Sequence, residues 1–112
     1  MASKNNELLS PLSAAILFAL AGGESHGYAI IKEIENMTGG EMRLNTGSIY
    51  LALHRMLSDG LITETDSDAS DDRRRYYKLT QAGRSVAKLE ARRLSQLVRA
   101  AAARKLIPGA AH

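Results

Sequence analysis

The sequence predicts a mainly α-helical domain with a small β-hairpin: three short helices, the hairpin, then one long helix. Three observations predict it. Apolar residues recur at helical spacing in four stretches. Glycines close the first three of these, at Gly22-Gly23, Gly39-Gly40 and Gly60. Between the third and fourth stretches, two short runs, LITE and RYYKL, flank a polar segment rich in Ser and Asp.

The first helix starts at Ser10-Pro11, with serine as N-cap and proline at the first helical position. The run LSAAILFALA from Leu12 to Ala21 is apolar on nearly every side. It therefore predicts a core helix that also reaches a subunit contact, through Leu12 and Ile16. The second helix follows Glu24-Ser25 and places Ile30, Ile31, Ile34 and Met37 on one face. Lys32, Glu33, Glu35 and Asn36 face outward.

The third helix is entered through Asn45 or Thr46 as cap. Ile49, Leu53, Met56 and Leu57 form its buried stripe. The remaining face carries Ser48, Tyr50, Leu51, His54 and Arg55, and no acid before Asp59. Leu61 to Glu64 and Arg75 to Leu79 read as the two strands of the hairpin. Period-two alternation then sends one of Tyr76 and Tyr77 inward and the other outward. Thr80 caps the last helix, which is expected to run to about Leu106. Its stripe of Val86, Leu89, Leu94, Leu97, Val98 and Ala101 is longer than a small core can cover, so it predicts contact with a second chain. Residues 1–7 and 108–112 read as flexible ends.

Composition narrows the function classes. A chain of 112 residues that is 45% hydrophobic can bury one modest core. It has no cysteine, which excludes a disulfide scaffold, a thiolate metal site and a cysteine nucleophile. The spacing of His26, His54 and His112 fits no metal-ligand pattern, and no metal or cofactor is expected. No nucleophile is paired with a base and no glycine-rich loop follows a strand, so an enzyme is not expected. The longest apolar run is far short of the roughly 20 residues of a membrane span; a cytoplasmic protein without membrane contact is expected.

Charge is divided unevenly. The net charge is +3, but residues 1–72 carry 4 basic and 11 acidic side chains, whereas residues 73–112 carry 11 basic and 1 acidic. This asymmetry suits a polyanionic partner or attraction between subunits.

Three helices and a hairpin in this order make the plan of a winged helix-turn-helix. In that plan the third helix enters the DNA major groove and the hairpin, or wing, touches the flanking backbone. The stretches SPLSAAILFALAGGESHGYAIIKEI, GSIYLALHRMLSDGLI and RRRYYKLTQAGR, in that order and spacing, resemble the PadR family of transcriptional regulators. The resemblance covers about residues 8 to 90. HGY opening the second helix, GSIY opening the third, GLI starting the wing and YYKLTQAG leaving it are together specific to that family.

The resemblance implies a repressor that binds double-stranded DNA at a palindromic operator as a homodimer. Residues 8–80 would form the DNA-binding domain and 81–107 the dimerisation helix of a short-tailed member. It also implies relief by a small-molecule effector. Short-tailed relatives with a flat drug pocket stack the ligand on an aromatic of the last helix, yet residues 81–107 contain no aromatic. An effector is then expected between the helices at the dimer interface.

The DNA-binding residues implied are Ser48, Tyr50, Leu51, His54 and Arg55 on the third helix, His26, Tyr28 and Lys32 on the second, and Arg73, Arg74 and Arg75 on the wing. Strand alternation prevents all three arginines from meeting one row of phosphates. The competing expectation is a winged-helix protein-interaction module, which would use the stripe and basic face of the last helix to bind an acidic partner.

Overall fold

The computed structural model describes residues 9–65 and 75–108. Its elements are α1 (Pro11–Ala21), β1 (Ser25–His26), α2 (Gly27–Met37), α3 (Thr46–Ser58), β2 (Ile62–Thr65), β3 (Tyr76–Leu79) and α4 (Gln81–Ala103). The fold is mainly helical with a small antiparallel sheet, as expected. That sheet has three strands in the order β1-β3-β2, one more than the predicted hairpin. Ser25 and His26 pair with Tyr77 and Tyr76, while Ile62 to Thr65 run antiparallel to Leu79 to Tyr76.

Local chemistry sets the helix ends. The Ser10 hydroxyl accepts from the Ser13 amide at 3.1 Å, and Asn45 Oδ1 accepts from the Ser48 amide at 3.2 Å. Each satisfies a first-turn donor that the helix leaves open. α2 is capped by His26 instead of a hydroxyl residue, with Nδ1 accepting from the Ala29 amide at 3.3 Å. At the end of α3 the Gly60 amide donates to the Leu57 carbonyl and the Leu61 amide to the Met56 carbonyl, which closes the last turn.

α4 stops at Ala103, three residues before the expected end. Lys105 adopts a left-handed φ of 62° and the Leu106 amide turns back to the Ala101 carbonyl. The position is one that glycine usually takes, so the sequence carried no stop signal there.

Among the described residues the core is one cluster. Ile16, Leu17 and Leu20 of α1 meet Ile30 and Ile34 of α2, Ile49, Leu53 and Met56 of α3, Ile62 and Tyr77 of the sheet, and Ala87 of α4. Each large aliphatic side chain buried in this way contributes about 1.5–3 kcal/mol. Ile16 was expected at a subunit contact, but it is 0% exposed. α1 is apolar all round, so its pattern cannot say which residues face the core, and the surrounding elements cover Ile16 completely. Met37 is also displaced from its expected role: at the last turn of α2 it lies beyond the reach of the core and is exposed.

The base of α4 is fixed tightly to the wing. The Thr80 hydroxyl donates to the Gly60 carbonyl at 2.6 Å and accepts from the Gly83 amide at 3.0 Å. The Thr80 amide donates to the Leu61 carbonyl at 3.0 Å. Gly83 rests directly on Leu61, where a Cβ would sit 2.9 Å from the Leu61 carbonyl carbon. Further along α4, Glu90 is buried within the stripe and receives a hydrogen bond from Arg93 Nε at 3.1 Å.

Candidate nucleic-acid interface

The exposed side of α3 is built by the same 3.6-residue period that buries its other side. With Ile49, Leu53 and Met56 in the core, Ser48, Tyr50, Leu51, His54 and Arg55 are left in solvent. Leu51 is 61% exposed and Tyr50 46%. An apolar residue held out between polar ones suits contact with a base edge such as a thymine methyl.

Tyr50 has a defined neighbour on α2. Its ring lies against Gly27, the first residue of α2, and a Cβ at Gly27 would meet Tyr50 Cζ at 2.7 Å. This contact joins the start of α3 to the N-terminus of α2. His26 in turn meets Tyr76 of β3 edge to face, with ring centroids 5.2 Å apart at 84°. The exposed face of α3, the start of α2 and the wing are therefore one continuous structure.

Tyr28 and Lys32 lie one turn apart on the exposed side of α2. The Lys32 ammonium is 5.7 Å from the Tyr28 ring centroid. Both are accessible, and Lys32 was expected on the outward face.

On the wing, Tyr77 points inward and is buried, while Tyr76 is half-buried beside His26. Burial pushes the Tyr77 hydroxyl above its usual pKa, and the Glu64 carboxylate adds to this while Arg75 opposes it. Arg75 Nη1 donates to Glu64 Oε2 at 2.9 Å across the strands. That hydrogen bond and the carboxylate's charge raise the Arg75 pKa. Arg73 and Arg74 lie outside the described residues, as do Asp66, Asp68, Asp71 and Asp72.

Two residues of this region escaped the sequence reading. Gly27 stood inside the HGY motif, but only the approach of Tyr50 explains it. Glu64 closed the LITE run without an assigned role. The strand register that places it opposite Tyr77 is a long-range property that local pattern cannot supply.

Comparison with known proteins agrees with this geometry. Residues 16–89 match the Transcriptional regulator PadR-like family. The chain belongs to the PadR-like family of transcriptional regulators. Transcriptional regulator Rv3488 of Mycobacterium tuberculosis is 31% identical over 97 residues, which cover 87% of this chain and 83% of that protein. An uncharacterized 37.1 kDa protein in a transposon of Streptomyces fradiae is 39% identical over 82 residues; these cover 73% of this chain but only 22% of that longer protein.

Among solved structures, a PadR family transcription regulator from Clostridium difficile superposes with a TM-score of 0.70 at 28% identity, covering 82% of this chain and 95% of that one. Bacillus subtilis PadR in complex with operator DNA gives 0.62 at 26% identity, covering 70% of this chain and 45% of that one. This PadR-like chain thus has the winged-helix fold of its relatives. The Mycobacterium tuberculosis and Clostridium difficile proteins are transcriptional regulators. No helix among its described residues is long and apolar enough to cross a membrane.

Proposed function

We propose that this PadR-family chain binds double-stranded DNA as a homodimer, and represses transcription in the cytoplasm by occupying a palindromic operator. One observation carries the reading. The exposed face of α3 is locked by the Tyr50–Gly27 contact to the start of α2, and by His26 to the wing. The likeness to Bacillus subtilis PadR, whose structure contains operator DNA, supports it.

In this reading residues 8–80 form the DNA-binding unit. Ser48, Tyr50, Leu51, His54 and Arg55 enter the major groove, and His26, Tyr28, Lys32 and the wing arginines Arg73, Arg74 and Arg75 hold the backbone. Residues 81–107 join two copies. Leu89, Leu97 and Val98 support this role, being 64%, 54% and 50% exposed on one long helix. Leu12, Val86, Leu94 and Ala101 are half-buried and complete the contact. Ile16 has no part in it. The two α3 helices then reach half-sites about 34 Å apart.

A small-molecule effector would bind between the α4 helices. Calorimetric titration with aromatic cations tests that part, and an absence of heat overturns it. The central test is a fluorescence-anisotropy titration of the DNA upstream of the protein's own gene, at two salt concentrations and with excess competitor duplex. Tight binding that weakens steeply with salt and survives competitor is expected. Weak binding that competitor abolishes would overturn specific recognition and favour the protein-interaction module.

A further inference from the structure

The wing carries a charge pair whose place bears on how strongly DNA is held. Glu64 stands opposite Tyr77 in the register, and Arg75 precedes Tyr77 by two residues. Directly opposed residues share one face of a sheet. The face of Tyr77 is the one turned to the helices, because Tyr77 and Ile62 are both buried in the core. Glu64 and Arg75 therefore lie at the outer end of that inner face. β2 packs against α3. In the DNA-binding reading, a DNA backbone would run between wing and α3, on this inner side of the wing.

We propose that Glu64 holds Arg75 in the DNA-free protein and yields it to a phosphate on binding, so that Glu64 sets the strength of DNA binding. The inference rests on the DNA-binding reading above. The side chains of Arg75 and Glu64 are 72% and 41% exposed, so water screens their attraction and the bridge is weak. A phosphate offers Arg75 an equivalent charged acceptor, and release of condensed counterions adds a driving force that Glu64 lacks. Once Arg75 has turned to the phosphate, the Glu64 carboxylate is left beside the DNA and repels it. Glu64 thus opposes binding twice, by occupying Arg75 beforehand and by its own charge afterwards. Affinity for arbitrary DNA is held down, and base-specific contacts from α3 gain relative weight.

The test uses the full chain and a random-sequence duplex long enough for two half-sites, because binding to such DNA is almost wholly a phosphate effect. Wild type, Glu64→Gln, Arg75→Ala and the double variant are titrated by anisotropy at low and high salt, with thermal melting to show that each is folded. Glu64→Gln is expected to bind about two- to five-fold more tightly. Arg75→Ala is expected to bind more weakly and to lower the salt slope by about one. In the Arg75→Ala background the gain from Glu64→Gln should shrink to a small residue of charge repulsion. A Glu64→Gln variant that binds like wild type overturns the inference, as does a gain of equal size with and without Arg75. Wild type that shows no salt-dependent binding at all would overturn the DNA-binding reading itself, and this inference with it.

Discussion

The phenol ring of Tyr50 lies directly on the backbone of Gly27, with no side chain between the start of α2 and the exposed face of α3. A methyl group at position 27 would occupy the space of the ring. The ring is half-exposed and can swing away, so the fold has an inexpensive escape, whereas an interface that needs the ring in place does not.

Gly27→Ala is therefore expected to melt within a few degrees of wild type while losing about ten-fold in operator affinity, close to the loss for Tyr50→Ala, each near 1.4 kcal/mol. Paired melting and anisotropy measurements check this. Equal affinities for Gly27→Ala and wild type would show that the position of Tyr50 does not matter to binding.

Gly83→Ala should behave in the opposite way. Its added methyl meets the Leu61 carbonyl, which is backbone and cannot rotate aside. The base of α4 must lift from the wing, at a cost of about 3 kcal/mol or more. Thr80→Ala loses both the cap and the bond to Gly60, for about 1–2 kcal/mol. Urea unfolding of both variants measures these differences.

These two glycines show what local pattern can and cannot carry. The helices were legible because their apolar stripes are local, and so were the caps at Ser10 and Thr80 and the close at Gly60. β1 was not, because Ser25 and His26 have no strand character of their own and become a strand only by pairing with Tyr76 and Tyr77. That pairing holds Ser25 in the sheet, and His26 caps α2. The outward residues of α2 and α3 could be read from periodicity, since a buried stripe defines its own opposite. The partner of Arg75 could not: Asp71 and Asp72 are nearer in sequence, and only the register brings Glu64 to it.

Leu89→Glu combined with Leu97→Glu should leave the fold intact, since both side chains are exposed in the single chain. In the proposed homodimer each glutamate would be buried without a partner, which destabilises association strongly. Sedimentation is expected to show monomers for this variant and dimers for wild type, with operator affinity falling in parallel. A wild-type monomer at micromolar concentration would remove the dimer from the proposal.

Stability should also respond to alkaline pH through Tyr77. Its hydroxyl titrates higher in the folded chain than in the unfolded one, first because it is buried and then because Glu64 is near. The unfolded chain loses this proton first as pH rises through about 10, so the contribution is present below that pH and is lost above it. Urea midpoints from about pH 8 to about pH 11 should fall for wild type, and Tyr77→Phe should flatten the part of the fall that this hydroxyl causes.

Thr80 belongs to three parts of the molecule at once. Its hydroxyl is tied to Gly60, where α3 ends; its amide is tied to Leu61, where the wing begins; and it starts α4. Such a joint has no slack. Were two α4 helices to change the angle at which they cross, no hinge at their base would take up the turn. Each α3 and its wing would swing together as the end of a lever, and the span between the two reading heads would change. In the homodimer proposed above, a ligand would then need to touch neither α3 nor DNA to loosen the grip, only to alter the crossing of the two long helices.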